Sequence, residues 1–197
     1  LEPPGRVAGG QILLDGQRVP GLGAASLAEL EVTDPESRWS AFADGFAGAP
    51  AATRYPLAAL NTAFTQHGLW LRVPAGTIVA KPVHLVVLSS DRPRLASQPR
   101  IVVDVEPGAR ITLIQHFVDT MGTRGWTNSV TQLRQGPGSS VELYRFQRHG
   151  AERTHTSLLT ATIAAGADLH AFYLDLGGEL VRNDVEISLA APGARVE

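Results

Sequence analysis

Apolar and polar positions follow two different patterns along the chain, and the change falls near residue 67. In residues 1–66 the signals are short. Gln11 to Val19 alternates around an Asp-Gly pair, as two short strands joined by a tight turn do. Helical spacing follows in three stretches, Ser26 to Leu30, Trp39 to Phe46 and Pro56 to Gln66. The sequence therefore predicts a small mixed α/β segment over residues 1–66, whose last helix, 56–66, leads into the rest of the chain.

Residues 67–197 carry a repeat in place of helical periodicity. A tight turn recurs with its glycine at positions 76, 108, 138, 166 and 193, so successive turns lie 32, 30, 28 and 27 residues apart. Three residues past these glycines stand Val79, Ile111, Val141, Leu169 and Val196. Five residues past them stand Lys81, Leu113, Leu143 and Ala171, and five before them stand Leu71, Val103, Leu133 and Ala161. Offsets of two predict strands on both sides of each turn that point apolar side chains the same way.

A repeat of about 30 residues with two strands and no helix predicts coils that stack like columns on like columns. The fold class is therefore all-β, a parallel β-helix flattened into a two-sheet solenoid over residues 67–197. An antiparallel sandwich, in which the glycine turns would be hairpins, stays open as the alternative. The chain begins at Leu1 and its last unit stops four residues past the turn. We therefore expect a fragment truncated at the C-terminal end of its solenoid, with open strand edges that favour a homodimer.

Composition excludes several functional classes. With no Cys, the chain can form no disulfide, no thiolate zinc site and no Cys-ligated iron–sulfur cluster of its own. A formal net charge of −2 argues against nucleic acid as a partner. No apolar run approaches the roughly 18 residues of a membrane span, so we expect no membrane partner and a cytoplasmic location.

Two histidines are the candidate metal ligands. His84 and His116 both lie eight residues past their turn glycines, so stacked coils would bring the two imidazoles together. The same column continues with Phe146 and Leu174, which favours an aromatic ladder and leaves a shared metal ion as the alternative. His149 and His155 flank a polar stretch and are interpreted as surface residues.

One strand carries the candidate enzymatic groups. Arg182, Asp184 and Glu186 alternate along it, and carboxylates beside an arginine on the outside of a β-helix are what a polysaccharide lyase or hydrolase uses. A charged, solvated sheet face explains the same pattern, and no second acidic cluster shares its register. We therefore assign no catalytic residue and no cofactor-binding residue, and expect a protein that is not an enzyme.

Four stretches resemble the core of the SufB/SufD family of iron–sulfur cluster assembly proteins. Residues 56–88 (PLAALNTAFTQHGLWLRVPAGTIVAKPVHLVVL) are similar to the family's entry into the core, and residues 100–117, 126–147 and 180–197 follow in the family's order. The opening QILLDGQRV (11–19) is also similar, with Asp where the family has Asn. Within the family, the absence of Cys resembles the SufD branch, because the SufB branch bears cysteines associated with cluster assembly.

The resemblance implies a right-handed parallel β-helix that acts as a non-catalytic scaffold. It implies pairing with a SufB-like subunit, in a complex completed by a SufC-like ATPase, and support of cluster assembly and iron acquisition. The cluster would be assembled on the larger complex, with no cofactor bound by this stretch. The residues near the cluster and the SufC-docking region would lie beyond Glu197.

Overall fold

The computed structural model describes residues 9–19, 30–33, 54–65, 68–119 and 123–197. Within these ranges the elements are β1 (Gly9–Leu14), β2 (Gln17–Arg18), β3 (Glu31–Thr33), α1 (Pro56–Phe64), β4 (Gly68–Val73), β5 (Val83–Ser89), β6 (Leu95–Ser97), β7 (Arg100–Val105), β8 (Arg110–Asp119), β9 (Gly125–Gln135), β10 (Ser140–Arg148), β11 (Arg153–Ile163), β12 (Asp168–Asp175), β13 (Leu180–Leu189) and β14 (Arg195–Val196). The helices predicted at Ser26–Leu30 and Trp39–Phe46 lie, apart from Leu30, outside the described residues.

The strands form two sheets, between which the chain passes once in each coil. Sheet 1 has the order β14-β12-β10-β8-β5-β1-β2, and sheet 2 has the order β13-β11-β9-β7-β4-β3, with β6 beside β9. From β4 to β14 the chain passes back and forth between the sheets, with β6 and β7 both in sheet 2, and each strand pairs in parallel with a strand of the neighbouring coil. This arrangement confirms the two-sheet parallel β-helix and excludes the antiparallel sandwich.

The glycine turns stack into a column along one edge of the solenoid. All five turn glycines have positive φ, between 65° and 78°, the left-handed conformation that favours glycine. The N–H of each of the first four donates to a carbonyl in the turn of the next coil, as Gly108 does to Pro137 at 2.9 Å. Each coil is therefore fixed to its neighbour at the turn as well as along its strands.

The interior of the solenoid is apolar in the part that lies next to the glycine turns. Val141 pairs with Ile111 and Leu169, as the repeat predicts. The side chains three and five residues past each turn glycine, and five before it, are called here the apolar half of the interior. Its buried members are 0–3% exposed: Leu71, Val103, Ile111, Leu113, Leu133, Val141, Leu143, Ala161 and Leu169. Burying these aliphatic stacks supplies the hydrophobic stabilisation of the solenoid.

One column departs from the prediction. Leu113 was expected opposite Lys81, but it pairs with Val83. Ile78 bridges to Arg110, and regular pairing resumes at Val83 and Leu113. Between these two points the first coil contains two residues more than the second. Lys81 and Pro82 occupy this excursion, where Pro82 has no N–H to donate to a ladder. Because the shift is two residues, the inward and outward alternation of β5 is preserved.

Helix α1 packs on the outside of sheet 2. Pro56 stands in its first turn, where no N–H is needed, and the helix ends two residues before the predicted Gln66. Ala58 is buried with Val130 and Leu158. The buried Asn61 side chain donates to the carbonyls of Pro99 and Asn128 at 3.2 and 2.8 Å, which fixes the helix to the sheet.

The hairpin predicted around Asp15 is present. β1 and β2 pair antiparallel, and Asp15 and Gly16 have φ of 51° and 93°. Two successive residues with positive φ are typical of the type I′ turn that joins hairpin strands. The hairpin adds β1 in parallel to β5 and so extends sheet 1 by one coil.

Candidate functional site

The imidazoles of His84 and His116 meet on the outer face of sheet 1. Their ring centroids are 5.2 Å apart with an interplanar angle of 6°. His84 Nδ1 lies 2.9 Å from His116 Nε2, so one nitrogen donates a hydrogen bond and the other accepts it. The predicted proximity is confirmed, although the backbones pair differently: His84 stands opposite Ile114, and His116 opposite Val86.

Phe146 continues this row on the next strand. Its ring centroid is 5.7 Å from that of His116, with an interplanar angle of 23°, and the two residues are direct partners between β8 and β10. Leu174 is the partner of Phe146 on β12. The three rings of this column therefore lie side by side as a ladder would place them, and metal binding by the histidine pair stays a prediction.

The surroundings keep both imidazoles neutral near pH 7. Burial lowers the pKa of His84, and burial together with the neighbouring His84 lowers the pKa of His116. A neutral imidazole carries one lone pair on its ring nitrogens, which is the form that binds metal ions. In the described part of the chain, no group of three or more His, Asp or Glu side chains is arranged to hold a metal ion. Any metal bound here would have two protein ligands.

The charged side chains of strand β13 are paired, one pair within the strand and one with Arg54. Arg182 Nε lies 2.9 Å from Asp184 Oδ2, and Arg54 approaches Glu186 at 3.8 Å. The ion pair with Asp184 raises the pKa of Arg182. These contacts fit the charged, solvated face.

The prediction that His149 and His155 lie on the surface is wrong. They are 4% and 0% exposed. His155 points inward because β11 begins at Arg153 and every second residue of that strand, including 155 and 157, faces the interior. His149 points inward because it continues the inward-facing row of β10 that passes through Arg145 and Gln147. We call Arg145, His149, Arg153, His155 and Ser157 the interior cluster. It lies at the edge of the solenoid away from the glycine turns.

Arg145 is the centre of the interior cluster. Its guanidinium lies 4.9 Å from the Phe117 ring centroid and 5.0 Å from that of Tyr173, two cation–π contacts that favour the charged form. It donates to Ser157 Oγ at 2.5 Å and is hydrogen-bonded to His155 Nε2. Burial lowers the pKa of Arg145, which the nearby Tyr173 and Asp175 partly oppose.

Several buried polar atoms of this cluster have no hydrogen-bond partner among the described residues. They are both ring nitrogens of His149, Nδ1 of His155, Nε of Arg145, and Nε and NH2 of Arg153. Each of these atoms is buried, with almost no accessible surface of its own. Burial, reinforced by Arg153, lowers the pKa of His149 to about 4, and burial with Arg145 lowers that of His155 well below its ordinary value. The cluster is therefore a tightly packed, costly part of the interior.

Another buried arginine, outside the interior cluster, joins α1 to sheet 2. Arg100 is 2% exposed and donates to Asn61 Oδ1 at 3.1 Å and to Thr62 Oγ1 at 2.9 Å. Burial lowers its pKa to about 9. The sequence did not indicate this residue, because Arg100 is the first residue of β7, where no preceding strand residue sets the alternation of inward and outward positions.

A groove of about 580 Å³ lies between the β1–β2 hairpin and α1. Leu14, Leu60, Phe64 and Trp126 supply its apolar lining, and Asp15 is engaged by the N–H of Ser90 at 2.8 Å. Among the described residues, no helix is long and apolar enough to cross a membrane.

Comparison with known proteins identifies the family. Residues 86–197 match the family model described as "SUF system FeS cluster assembly, SufBD core domain". The chain is also 27% identical over 149 residues to an iron-sulfur cluster assembly SufBD family protein of Synechocystis sp.. That match covers 70% of this chain and 32% of the relative, so the chain spans about a third of the length of the curated relative. Since the family model covers more than half of the chain, and the solenoid has the parallel coils expected from the resemblance, the chain belongs to the SufBD core family of iron–sulfur cluster assembly proteins.

Proposed function

We propose that this chain is the core of a SufD-type, non-catalytic scaffold subunit. It pairs with a SufB-like subunit and works with a SufC-like ATPase in the cytoplasm, where it supports cluster assembly and iron acquisition. The cluster itself is built on the assembled complex.

The single observation that carries this proposal is the family match on a chain without cysteine. A chain without thiolates cannot hold an iron–sulfur cluster by cysteine ligation, so it must contribute to assembly in another way. Its parallel coils, fixed to each other along both sheets and at the turns, provide a rigid body for a partner to bind. The paired charges on β13 support a structural role for that strand.

The test is co-expression of the full-length protein with SufB-like and SufC-like subunits from the same source. Affinity purification through a tag on this protein should recover all three, and iron and sulfide should be found on the three-component complex. A parallel purification of the SufB-like and SufC-like subunits alone shows what this protein adds. An Ile78→Ala variant, altered at a side chain that is 65% exposed, is the matched control and should recover both partners as the unaltered protein does.

Failure of a well-folded protein to recover either partner would overturn the scaffold proposal. The family assignment and the β-helix would be untouched by that result. Polysaccharide turnover that is lost on Asp184→Asn or Glu186→Gln would likewise overturn it, in favour of the carbohydrate-active alternative.

A further inference from the structure

The outer face of sheet 1 carries apolar side chains where a sheet facing water carries polar ones. We call the outward side chains of residues 84–88, 114–118, 144–148 and 172–174 the outer patch; these stretches pair in register on four neighbouring strands. Apart from Arg148, its members are aliphatic, aromatic or imidazole side chains, each half-buried or exposed. Among the described residues, the one helix packs on sheet 2, so no helix covers the outer patch. Apolar patches of this kind mark surfaces that bind another molecule.

Sheet 2 shows how the outer face of this solenoid is built where it meets water. Beside α1 it carries ion pairs, Arg72 with Glu106 and Arg134 with Asp104. The outer patch of sheet 1 has no ion pair among the described residues. Both sheets share the same inward alternation of apolar side chains, so the fold itself does not require apolar side chains on the outside of sheet 1.

The outer patch has two halves that differ in the size of their side chains. Beside its two histidines, the half on β5 and β8 has four aliphatic side chains: Val86, Leu88, Ile114 and Val118. The half on β10 and β12 has three large aromatic side chains: Tyr144, Phe146 and Phe172. Phe172 is 47% exposed, so its ring projects from the sheet. The smaller side chains of one half therefore leave room for rings like those of the other half.

Charged side chains at the glycine-turn end of the same strands are divided in the same direction. Lys81 precedes β5 and Arg110 begins β8, whereas Glu142 lies on β10 and Asp168 begins β12. All four are exposed, and none of them is in an ion pair among the described residues. Arg195, the ladder partner of Asp168, lies beyond them on β14. The aliphatic half is therefore flanked by positive charge and the aromatic half by negative charge.

We propose that the outer patch binds the outer patch of a second copy of this chain, about a twofold axis that runs parallel to the strands between β8 and β10. Under this symmetry β5 of one copy faces β12 of the other, and β8 faces β10. The aromatic half then meets the aliphatic half, and the basic end meets the acidic end, in both directions at once. A twofold contact requires this kind of self-complementary surface. The contact leaves the open strand edges free, and it does not depend on the scaffold proposal.

The area of the face is sufficient for a specific dimer. The paired stretch 110–118 is about 30 Å long at about 3.3 Å per residue, and four strands at about 4.8 Å spacing are roughly 19 Å wide. Each copy therefore contributes roughly 570 Å² and a pair roughly 1,100 Å², more than the about 1,000 Å² that a specific interface needs. The axis keeps the strands of the two copies in the same direction, which agrees with the aligned packing of two sheets face to face.

The test is chemical cross-linking of the full-length protein through introduced cysteines, since residues 1–197 contain none. Any cysteine outside these residues is first replaced by serine. Val86 and Leu174 lie in one row of the outer patch, three strands apart, so the axis places Val86 of each copy over Leu174 of the other. An equal mixture of Val86→Cys and Leu174→Cys should therefore be joined by a short bismaleimide. Neither variant should be joined to itself, because like positions are displaced sideways by three strand spacings, about 14 Å.

The matched control for this cross-link is Thr162→Cys, because Thr162 is exposed on the outer face of sheet 2. A mixture of Thr162→Cys with either of the other two variants should give no cross-linked dimer.

Dilution of the Val86→Cys and Leu174→Cys mixture gives the concentration at which half of the cross-link is lost. Phe172→Lys, added to both variants, should raise this concentration at least about tenfold, because it removes a projecting ring and brings an ammonium group into an apolar contact. Phe64→Lys changes a ring that is 65% exposed on α1 and should leave the concentration unchanged. Circular dichroism verifies that all variants fold.

Three results of this experiment would overturn the proposal. They are absence of the mixed cross-link at the highest soluble concentration, equal cross-linking of either variant with itself, and a half-loss concentration that Phe172→Lys leaves unchanged. Preferential cross-linking of Leu174→Cys to a co-expressed SufB-like subunit would also overturn it, and would assign the outer patch to that subunit.

Discussion

The interior of this solenoid has two regions of opposite character. The apolar half repeats one kind of side chain from coil to coil, and its members are almost wholly buried. The interior cluster, at the other edge, is equally buried but consists of arginine, histidine and serine with several unpartnered atoms. Both regions are built from the same strands, so strand formation alone does not decide the chemistry of a column.

The difference between the regions follows from the connections that close them. At the glycine edge every turn is short and has positive φ, so each coil presents the same residues at the same height. At the opposite edge the connections differ in conformation: residues 90–94 have positive φ at Arg94, residues 176–179 have it at Gly178, and residues 149–152 have it nowhere. A constant turn enforces a repeat, whereas variable connections free each coil to carry its own side chains.

The largest expected effect is a cavity in the apolar half. Leu113 is 1% exposed and lies between Val83 and Leu143, so Leu113→Ala should lower the free energy of unfolding by about 2–5 kcal/mol. Chemical denaturation measures it. Arg145→Met, in the interior cluster, should cost less, because it removes a desolvated charge, its hydrogen-bond partners are neutral, and the nearby Asp175 is exposed to solvent. If Arg145→Met were the more damaging change, the comparison would be reversed.

Glycines should be needed for different reasons at the two edges. At Gly177 a Cβ would lie inside van der Waals contact with the His149 carbonyl oxygen, so Gly177→Ala should cost about 1–3 kcal/mol through overpacking. At Gly138 a Cβ meets nothing within 4 Å, and only the φ of 66° is strained. Gly138→Ala should therefore cost about 1 kcal/mol. Thermal and denaturant unfolding measure both variants. If Gly177→Ala and Gly138→Ala lowered the free energy of unfolding equally, the distinction between steric overlap at Gly177 and backbone strain at Gly138 would be wrong.

Acid should weaken the interior cluster before it affects the apolar half. The folded-state pKa of His149 is lowered to about 4 and that of His155 is also low, so the unfolded chain takes up protons first as the pH falls from about 6.5. The free energy of unfolding should therefore decrease between pH 7 and 5, by up to about 1.4 kcal/mol per pH unit for each histidine fully linked to unfolding.

Denaturant midpoints at pH 7, 6 and 5 measure this dependence. His149→Gln should make it shallower, while His170→Gln, an exposed histidine, should leave it unchanged. Identical slopes for the unaltered protein and His149→Gln would show that the interior histidine does not control acid sensitivity.

The smallest effect belongs outside the interior, on the outer face of sheet 2. Arg134 pairs with Asp104 at 2.6 Å and lies 5.6 Å from the Trp70 ring, but its side chain is 47% exposed. Arg134→Gln should lower the free energy of unfolding by about 0.2–1 kcal/mol, and added salt should reduce the difference. A loss comparable to that of Leu113→Ala would show that the outer face contributes as much as the interior.

The sequence predicts the apolar half well and the interior cluster poorly. Aligning the turn glycines was enough to place Val141 between Ile111 and Leu169, because short identical turns keep equivalent residues in register. The Lys81–Pro82 excursion was not predictable from that alignment, since a two-residue shift preserves the alternation of apolar positions. His149 and His155 were misplaced because a polar side chain near a loop normally indicates solvent, and only the phase of Arg145 and Gln147 signals otherwise.

The column of turn hydrogen bonds also determines how a chain of this kind can change in length. Ser140 occupies the position in its coil that Arg110 occupies in the previous one, and the turns before them, at Gly138 and Gly108, share one conformation. Joining residue 109 to residue 140 would therefore remove a whole coil and bring Val141 to the place of Ile111. An insertion or deletion shorter than one coil must leave the strand ladder locally, as the two extra residues at Lys81 and Pro82 do. Insertions and deletions that leave the strand ladders unbroken at every coil are thus expected in steps of one complete coil.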